Sequence, residues 1–130
     1  MERFRHAVES GDIDGAIGML AADVVFQSPV VFKPYVGRDA VGMLLRVVAT
    51  VFEDFHYVSE LHGGAAGGAG AEGGETALVF RARVGGKTLE GVDWLRVGGD
   101  GLVTHLTVFV RPMSGLMALA EAMRARLGGA

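Results

Sequence analysis

The sequence predicts an α+β fold: helices packed on one face of a mostly antiparallel sheet. Three observations predict it. The first half of the chain mixes short helical and strand patterns. The second half holds three long strand patterns in succession, separated by glycine turns. An apolar-faced helix then closes the chain, an order that packs helices against one face of a sheet. With 130 residues the chain fits a single domain, 1–130.

Each element has its own reason. Phe4, Ala7 and Val8 recur at helical spacing in residues 2–10. Ile13, Ala16, Ile17 and Leu20 do so in 12–20, where Asp12 is a natural N-cap and Asp14 suits the helix dipole. Val24 to Ser28 reads as a short strand ended by Pro29. Residues 29–37 hold two prolines and Gly37, so they read as a loop. Val41, Leu44, Leu45, Val48 and Phe52 line one face of a helix over 39–52. Phe55 to His62 alternates as a strand does. Seven of the 21 glycines then crowd into Gly63–Gly74, which reads as a flexible loop inside the domain. Glu75–Val84, Lys87–Val97 and Leu102–Arg111 are the three long strands. Residues 114–127 form the last helix, with Leu116, Leu119, Ala120, Met123 and Leu127 on one face, Ser114 as cap and Gly128 as stop.

Composition removes several function classes. There is no cysteine, which excludes a disulfide scaffold, a thiol nucleophile and a cysteine metal site. The net charge of −3 offers no footprint for nucleic acid or for anionic membranes. His6, His56, His62 and His105 show no ligand spacing. His56 and His62 share one face of a strand in simple alternation, too far apart to share a metal. Neither a metal nor a cofactor is expected. No run reaches the length of a leader or a membrane span, so a cytoplasmic location is the expectation. Ten arginines against two lysines, with abundant Ala, Gly and Val, point to a bacterial source.

Gly85-Gly86 is the signature of a two-residue hairpin turn, and such a turn sets the register. Val84 then pairs with Lys87, Arg81 with Glu90, and Glu75 with Arg96. One face carries Thr76, Leu78, Phe80 and Ala82 opposite Leu95, Asp93, Gly91 and Leu89. Leu106, Val108 and Val110 extend it. Asp93 thus stands in the middle of an apolar face, with Gly91 leaving a gap opposite Phe80 for a ligand or a ring. A carboxylate there is costly unless paired or protonated, and desolvation raises its pKa. Two readings stay open. Asp93 is a functional acid, or it is a structural residue paired with a buried Tyr, Ser, Arg or backbone group. The opposite face carries Val79, Val92, Trp94, His105 and Phe109, a mixed patch that suits a homodimer interface; its alternative is a partly covered edge.

The chain resembles the superfamily of nuclear transport factor two, ketosteroid isomerase and SnoaL-like polyketide cyclases. Ser10-Gly11-Asp12-Ile13-Asp14, Leu20 to Phe26, Pro29 and Gly37-Arg38-Asp39-Ala40-Val41 carry the resemblance. Val92-Asp93-Trp94-Leu95-Arg96-Val97 and Gly99-Asp100-Gly101 complete it over nearly the whole chain. The resemblance implies a cone-shaped sheet whose wide end, closed by helices, holds an apolar pocket. It also implies a polyketide-, steroid- or terpenoid-like substrate.

Against ketosteroid isomerase, Asp93 falls where that family keeps a protonated aspartic acid as oxyanion donor. The family's first-helix tyrosine falls at Phe4. Its general-base aspartate falls at Ser28, before Pro29. Two of its three functional groups are therefore absent, which argues against steroid isomerisation by that mechanism.

The expectation is a small-molecule pocket protein with Asp93 as acid or hydrogen-bond donor. As an enzyme it is isomerase-, cyclase- or dehydratase-like. The pocket is expected to be lined by Phe4, Phe26, Ser28, Tyr35, Leu78, Phe80, Leu95, Leu106 and Val108. Tyr35 sits near the mouth, where its hydroxyl reaches toward Asp93 or a ligand. Ser28 has a turn role as its alternative. The competing functions are a non-catalytic binder of a small hydrophobic molecule and a module that docks another protein through the Trp94 face.

Overall fold

The structure, a computed structural model, describes residues 2–63 and 74–128. The glycine-rich run expected as a loop lies mostly outside these described residues. The elements are α1 (Glu2–Glu9), α2 (Ile13–Gly18), β1 (Leu20–Gln27), β2 (Tyr35–Val36) and α3 (Arg38–Val51). β3 (Glu53–Gly63), β4 (Glu75–Val84), β5 (Lys87–Val97), β6 (Val103–Arg111) and α4 (Met113–Arg126) follow. They form an α+β fold with a curved, unclosed six-stranded sheet, in the order β2-β1-β6-β5-β4-β3.

The hairpin register is the expected one. Val84 lies opposite Lys87, Phe80 opposite Gly91, Leu78 opposite Asp93 and Glu75 opposite Arg96. Gly85 and Gly86 both take positive φ, 56° and 81°, as a two-residue turn of this kind requires. On β6, Val108 pairs with Asp93 and Leu106 with Leu95. Every odd-numbered residue of β5 from Leu89 to Leu95 therefore faces the helices.

Four differences from the sequence reading concern the elements' bounds and register. α2 ends at Gly18 rather than reaching 20, and β1 begins at Leu20 rather than Val24. Tertiary pairing overrides the helical pattern there. Leu20 is fully buried opposite Val103, Met19 accepts the Val103 N–H at 2.8 Å, and Arg38 Nε donates to the Leu20 carbonyl at 3.0 Å. Tyr35 and Val36, expected in a loop, form β2 against Phe26 and Val25. α4 begins at Met113 with Pro112 as its cap, not Ser114.

The fourth difference lies in β3. Its register shifts between Tyr57 and Ser59, so Tyr57 lies opposite Phe80 while His62 lies opposite Thr76. His56, opposite Arg81, is on the other face. The bulge thus separates His56 from His62, which simple alternation had placed together.

The core lies between the concave face and the helices. Phe4, Ala16, Leu44 and Leu119 from the helices meet Leu78, Phe80, Leu95 and Leu106 from the strands. α4 approaches β5 closely at Gly115, where an added Cβ would stand 2.7 Å from the Leu89 Cβ. Asp12 caps α2 as expected, its carboxylate accepting the Gly15 N–H at 3.0 Å.

Candidate functional site

The concave face leaves one large opening. A cavity of about 560 Å³ is bounded by strand residues Phe26, Phe55, Tyr57, Asp93, Leu106 and Val108. Helix residues, Phe4 and Leu44 among them, close it from the other side. Its size falls in the ordinary range for small-molecule sites. The wall is apolar except for Ser28, Tyr35, Tyr57, Asp93 and Arg124.

Asp93 is half-buried, and its exposed part faces this cavity. Burial pushes its carboxyl up to about 7, since a charge there has lost most of its water. One hydrogen bond opposes that shift: the Tyr57 hydroxyl donates to Asp93 Oδ2 at 2.9 Å. Asp93 Oδ1 is left to hold a proton or to meet a ligand. Tyr57 is itself buried, and its hydroxyl is pushed well above the usual phenol range, first by desolvation and then by the nearby Asp93 charge. At any ordinary pH it is therefore a donor and not a base.

Tyr57 is held from three sides. Its backbone N–H donates to Glu9 Oε2 at 3.1 Å. The Arg5 guanidinium lies over its ring, 5.7 Å from the centroid. Phe55 meets the same ring edge-on at 5.0 Å. Arg5 is fixed in turn by Glu9 at 3.3 Å and Glu60 at 3.1 Å. The hydrogen bond from Arg5 holds the Glu60 carboxyl below the usual range.

Tyr57→Phe tests the weight of this pair. Removing the hydroxyl takes away the one stabiliser of the Asp93 anion, so the Asp93 pKa should rise above its value near 7. The stability cost should be about 2 kcal/mol at pH 8, where the bond is charge-assisted, and about 1 kcal/mol at pH 5. Denaturant melts at the two pH values check it; equal costs would mean that Asp93 keeps one protonation state across that range.

The expected pocket residues divide into two sets. Phe4, Phe26, Ser28, Tyr35, Leu106 and Val108 all line the cavity. Leu78, Phe80 and Leu95 do not. They lie on the expected face but are 0–1% exposed, closed into the core beneath the cavity wall. The Phe80 ring fills the gap above Gly91 and stacks on Phe55 at 4.9 Å, so Phe55 and Phe52 form the wall in its place.

Two polar roles also change. Ser28 lines the cavity, but its Oγ accepts the N–H of Val31 at 2.9 Å and of Val30 at 3.3 Å. It also donates to the Val31 carbonyl at 3.3 Å. That is a turn contact, and it leaves the hydroxyl no capacity as a base. Tyr35 packs its ring 6.3 Å from Phe26, and the hydroxyl that reaches Asp93 belongs to Tyr57. Tyr57 was the missed residue. Its signal was alternation with Phe55, readable only after β3 is set in register against β4.

Among the described residues no cluster of His, Asp or Glu is arranged to hold a metal ion, and no helix is long and apolar enough to cross a membrane. The outer sheet face carries Trp94, whose Nε1 donates to Glu75 at 3.0 Å beneath the Arg96 guanidinium, and Phe109, which is 54% exposed.

A curved, unclosed sheet covered by helices thus borders an apolar cavity with the Asp93 carboxyl in its wall. The SnoaL-like domain model matches residues 1–106, and the chain belongs to that family. It is 42% identical to a steroid delta-isomerase from Pseudomonas aeruginosa, over 95% of this chain and 85% of that one, with a TM-score of 0.85. It is 33% identical to an uncharacterised conserved protein of cystatin-like fold from Silicibacter pomeroyi, over 97% and 83% of the two chains, with a TM-score of 0.84. A Mycobacterium tuberculosis protein solved in complex with estradiol-17beta-hemisuccinate shares the fold at 20% identity, over 88% and 92%, with a TM-score of 0.63. No curated protein matches the chain. The family and these neighbours suggest a ligand-binding or isomerase-type function.

Proposed function

We propose that the cavity binds an apolar, polyketide-, steroid- or terpenoid-like molecule and acts on it through Asp93. The observation that carries this reading is the Tyr57–Asp93 hydrogen bond in the wall of the apolar cavity. With its carboxyl near 7, Asp93 is partly protonated at neutral pH. The neutral acid donates from Oδ1 to a ligand carbonyl or hydroxyl oxygen. As negative charge grows on that oxygen the bond strengthens, which is how a donor in a dry site lowers a barrier. Tyr57 keeps the carboxyl oriented while this happens. The likeness to the steroid delta-isomerase supports an isomerase-type step.

A second reading is a binder without turnover. The Ser28 hydroxyl is committed to its turn, and Phe4 offers no hydroxyl. Among the described residues the wall holds no second carboxylate or histidine to take a proton from carbon. The two readings separate by recovery of a bound ligand: an altered product supports the acid role, and unchanged ligand after long incubation supports the binder. Both rest on the state of Asp93. Its carboxyl ¹³C resonance should titrate near pH 7, and a midpoint near 4 overturns them together.

The same reading takes the Trp94/Phe109 face as a homodimer interface in a cytoplasmic protein. The exposed Phe109 beside Trp94 and Val92 supports an isologous contact. Trp94→Arg should then convert a dimer to a monomer in sedimentation. A variant that remains dimeric places the interface elsewhere.

A further inference from the structure

We propose that the ligand of this cavity carries an anionic group, such as a carboxylate, at the end that lies in the mouth, and that Arg124 receives it. The inference rests on the reading of the cavity as a ligand site and goes beyond it to the ligand's class. An apolar body with an oxygen at one end and an anion at the other is an amphiphile, not a neutral hydrocarbon-like molecule.

The arginines of this chain are mostly committed. Arg5, Arg46, Arg81, Arg83, Arg96 and Arg111 each pair with a carboxylate. Arg38 donates to the Leu20 carbonyl and Arg126 to Thr50 Oγ1 at 2.8 Å. Arg3 and Arg124 remain, and of these two only Arg124 lines the cavity. It has no ion-pair or hydrogen-bond partner among the described residues, and it is the one cation in the cavity wall. Ala120 and Met123 on α4, Leu127 just after it, and Val30 and Val31 line the same cavity. Those residues are apolar, and Arg124 has no partner for its donors among the described residues.

The two polar ends of the cavity differ in kind. Asp93 sits on the sheet, among buried side chains. Arg124 sits on the last turn of a helix, exposed at the rim. A ligand long enough to touch both must bring an oxygen to one and a negative charge to the other. The carbonyls ending α4 oppose an anion with roughly half a negative charge. The full charge of Arg124 outweighs that. A guanidinium matches a carboxylate with two parallel hydrogen bonds, which makes an organic acid the better fit than a lone halide. Arg124 can also lie along apolar ligand surface through its stem while its head stays in water.

The test uses two dyes with one body. 6-(p-Toluidino)-2-naphthalenesulfonate is elongated and carries its charge at one end; N-(p-tolyl)-2-naphthylamine is the same molecule without the sulfonate. Binding of each is followed by fluorescence to the intact protein, to Arg124→Gln and to Arg124→Lys. Arg124 is exposed, and changing it breaks no hydrogen bond or ion pair among the described residues. The sulfonate should bind the wild type about fivefold more tightly than the uncharged dye, the range of an exposed charge pair. That preference should fall to about one in Arg124→Gln, survive in part in Arg124→Lys, and shrink in 0.5 M salt, about the range where screening acts. If the uncharged dye binds but the wild type shows no preference, the inference is overturned while the cavity reading stands. A preference that persists in Arg124→Gln also overturns it, because the anion is then held elsewhere. If neither dye binds, the cavity reading falls and takes the inference with it.

Discussion

Gly91→Ala should destabilise the protein by about 3 kcal/mol or more, the upper range for overpacking a core. A Cβ at this position would lie 2.2 Å from the Phe80 Cζ and 2.6 Å from the Phe109 carbonyl oxygen. The first contact is with a ring that is 1% exposed, stacked on Phe55 and packed at a tilt against Phe52. The second is with backbone that belongs to the β5–β6 ladder, where Val92 pairs with Phe109. Neither has room to yield. Alanine restricts the unfolded chain more than glycine and recovers less than about 1 kcal/mol, too little to compensate. The ring also backs the cavity wall, so the damage should reach the site. Denaturant unfolding reads the first effect, and a Tyr57–Asp93 pair displaced in the variant's structure reads the second. A loss below 1 kcal/mol would mean that the Phe80 ring can leave its place freely.

Asp93→Asn should abolish a pH dependence of stability that the wild type shows between about pH 4 and 7. The sign follows from the direction of the shift. The Asp93 carboxyl is raised from 3.8 in the open chain to about 7 in the fold. Between these values the folded state binds the proton and the unfolded state does not. Stability therefore falls as pH rises through this window, is fully present below it, and is lost above it. A shift of this size corresponds to at most about 4 kcal/mol, reduced by whatever water the cavity admits. The asparagine amide is never charged and can still accept from Tyr57. Above pH 7 the variant should thus be more stable than the wild type, and below pH 4 equal or slightly weaker. The difference between the two curves isolates Asp93 from the surface ion pairs, which are present in both. Parallel curves would show that Asp93 is ionised in the fold at all of these pH values. Under the proposed acid role, the same substitution should also remove the donor, so gain of stability and loss of turnover at pH 7 would come together.

The hairpin was legible because its two determinants are local. A two-residue glycine turn sets the pairing, and pairing sets which residues share a face. Asp93 could be placed on the inner face beside Gly91 from these residues alone, as could the opposition of Leu78 and Phe80. The same logic failed on β3. The connection from β3 to β4 is long, so no turn chemistry sets that register, and a bulge after Tyr57 breaks the alternation. Tyr57 therefore could not be matched to Asp93, although Phe55 and Tyr57 carried the right pattern. Depth was likewise hidden. Leu78, Phe80 and Leu95 share the Asp93 face with Leu106 and Val108, yet only the last two touch the cavity. Sequence alternation reports the face, and it carries no information about how far down the cone a residue lies.

Local chemistry thus determined the α+β class, the β4–β5 register and the presence of one carboxyl on an apolar inner face. Contacts between residues far apart in sequence decided the rest. Leu20 became strand because Val103 pairs with it. Asp93 acquired its donor because Tyr57 crosses from a strand 36 residues earlier. Arg124 lines the same cavity as Phe4 and Asp93 because the end of α4 borders the space that α1 and the sheet enclose. These outcomes depend on the curvature of the sheet and on close packing of side chains, which are properties of the assembled core and are written in no single segment of the chain.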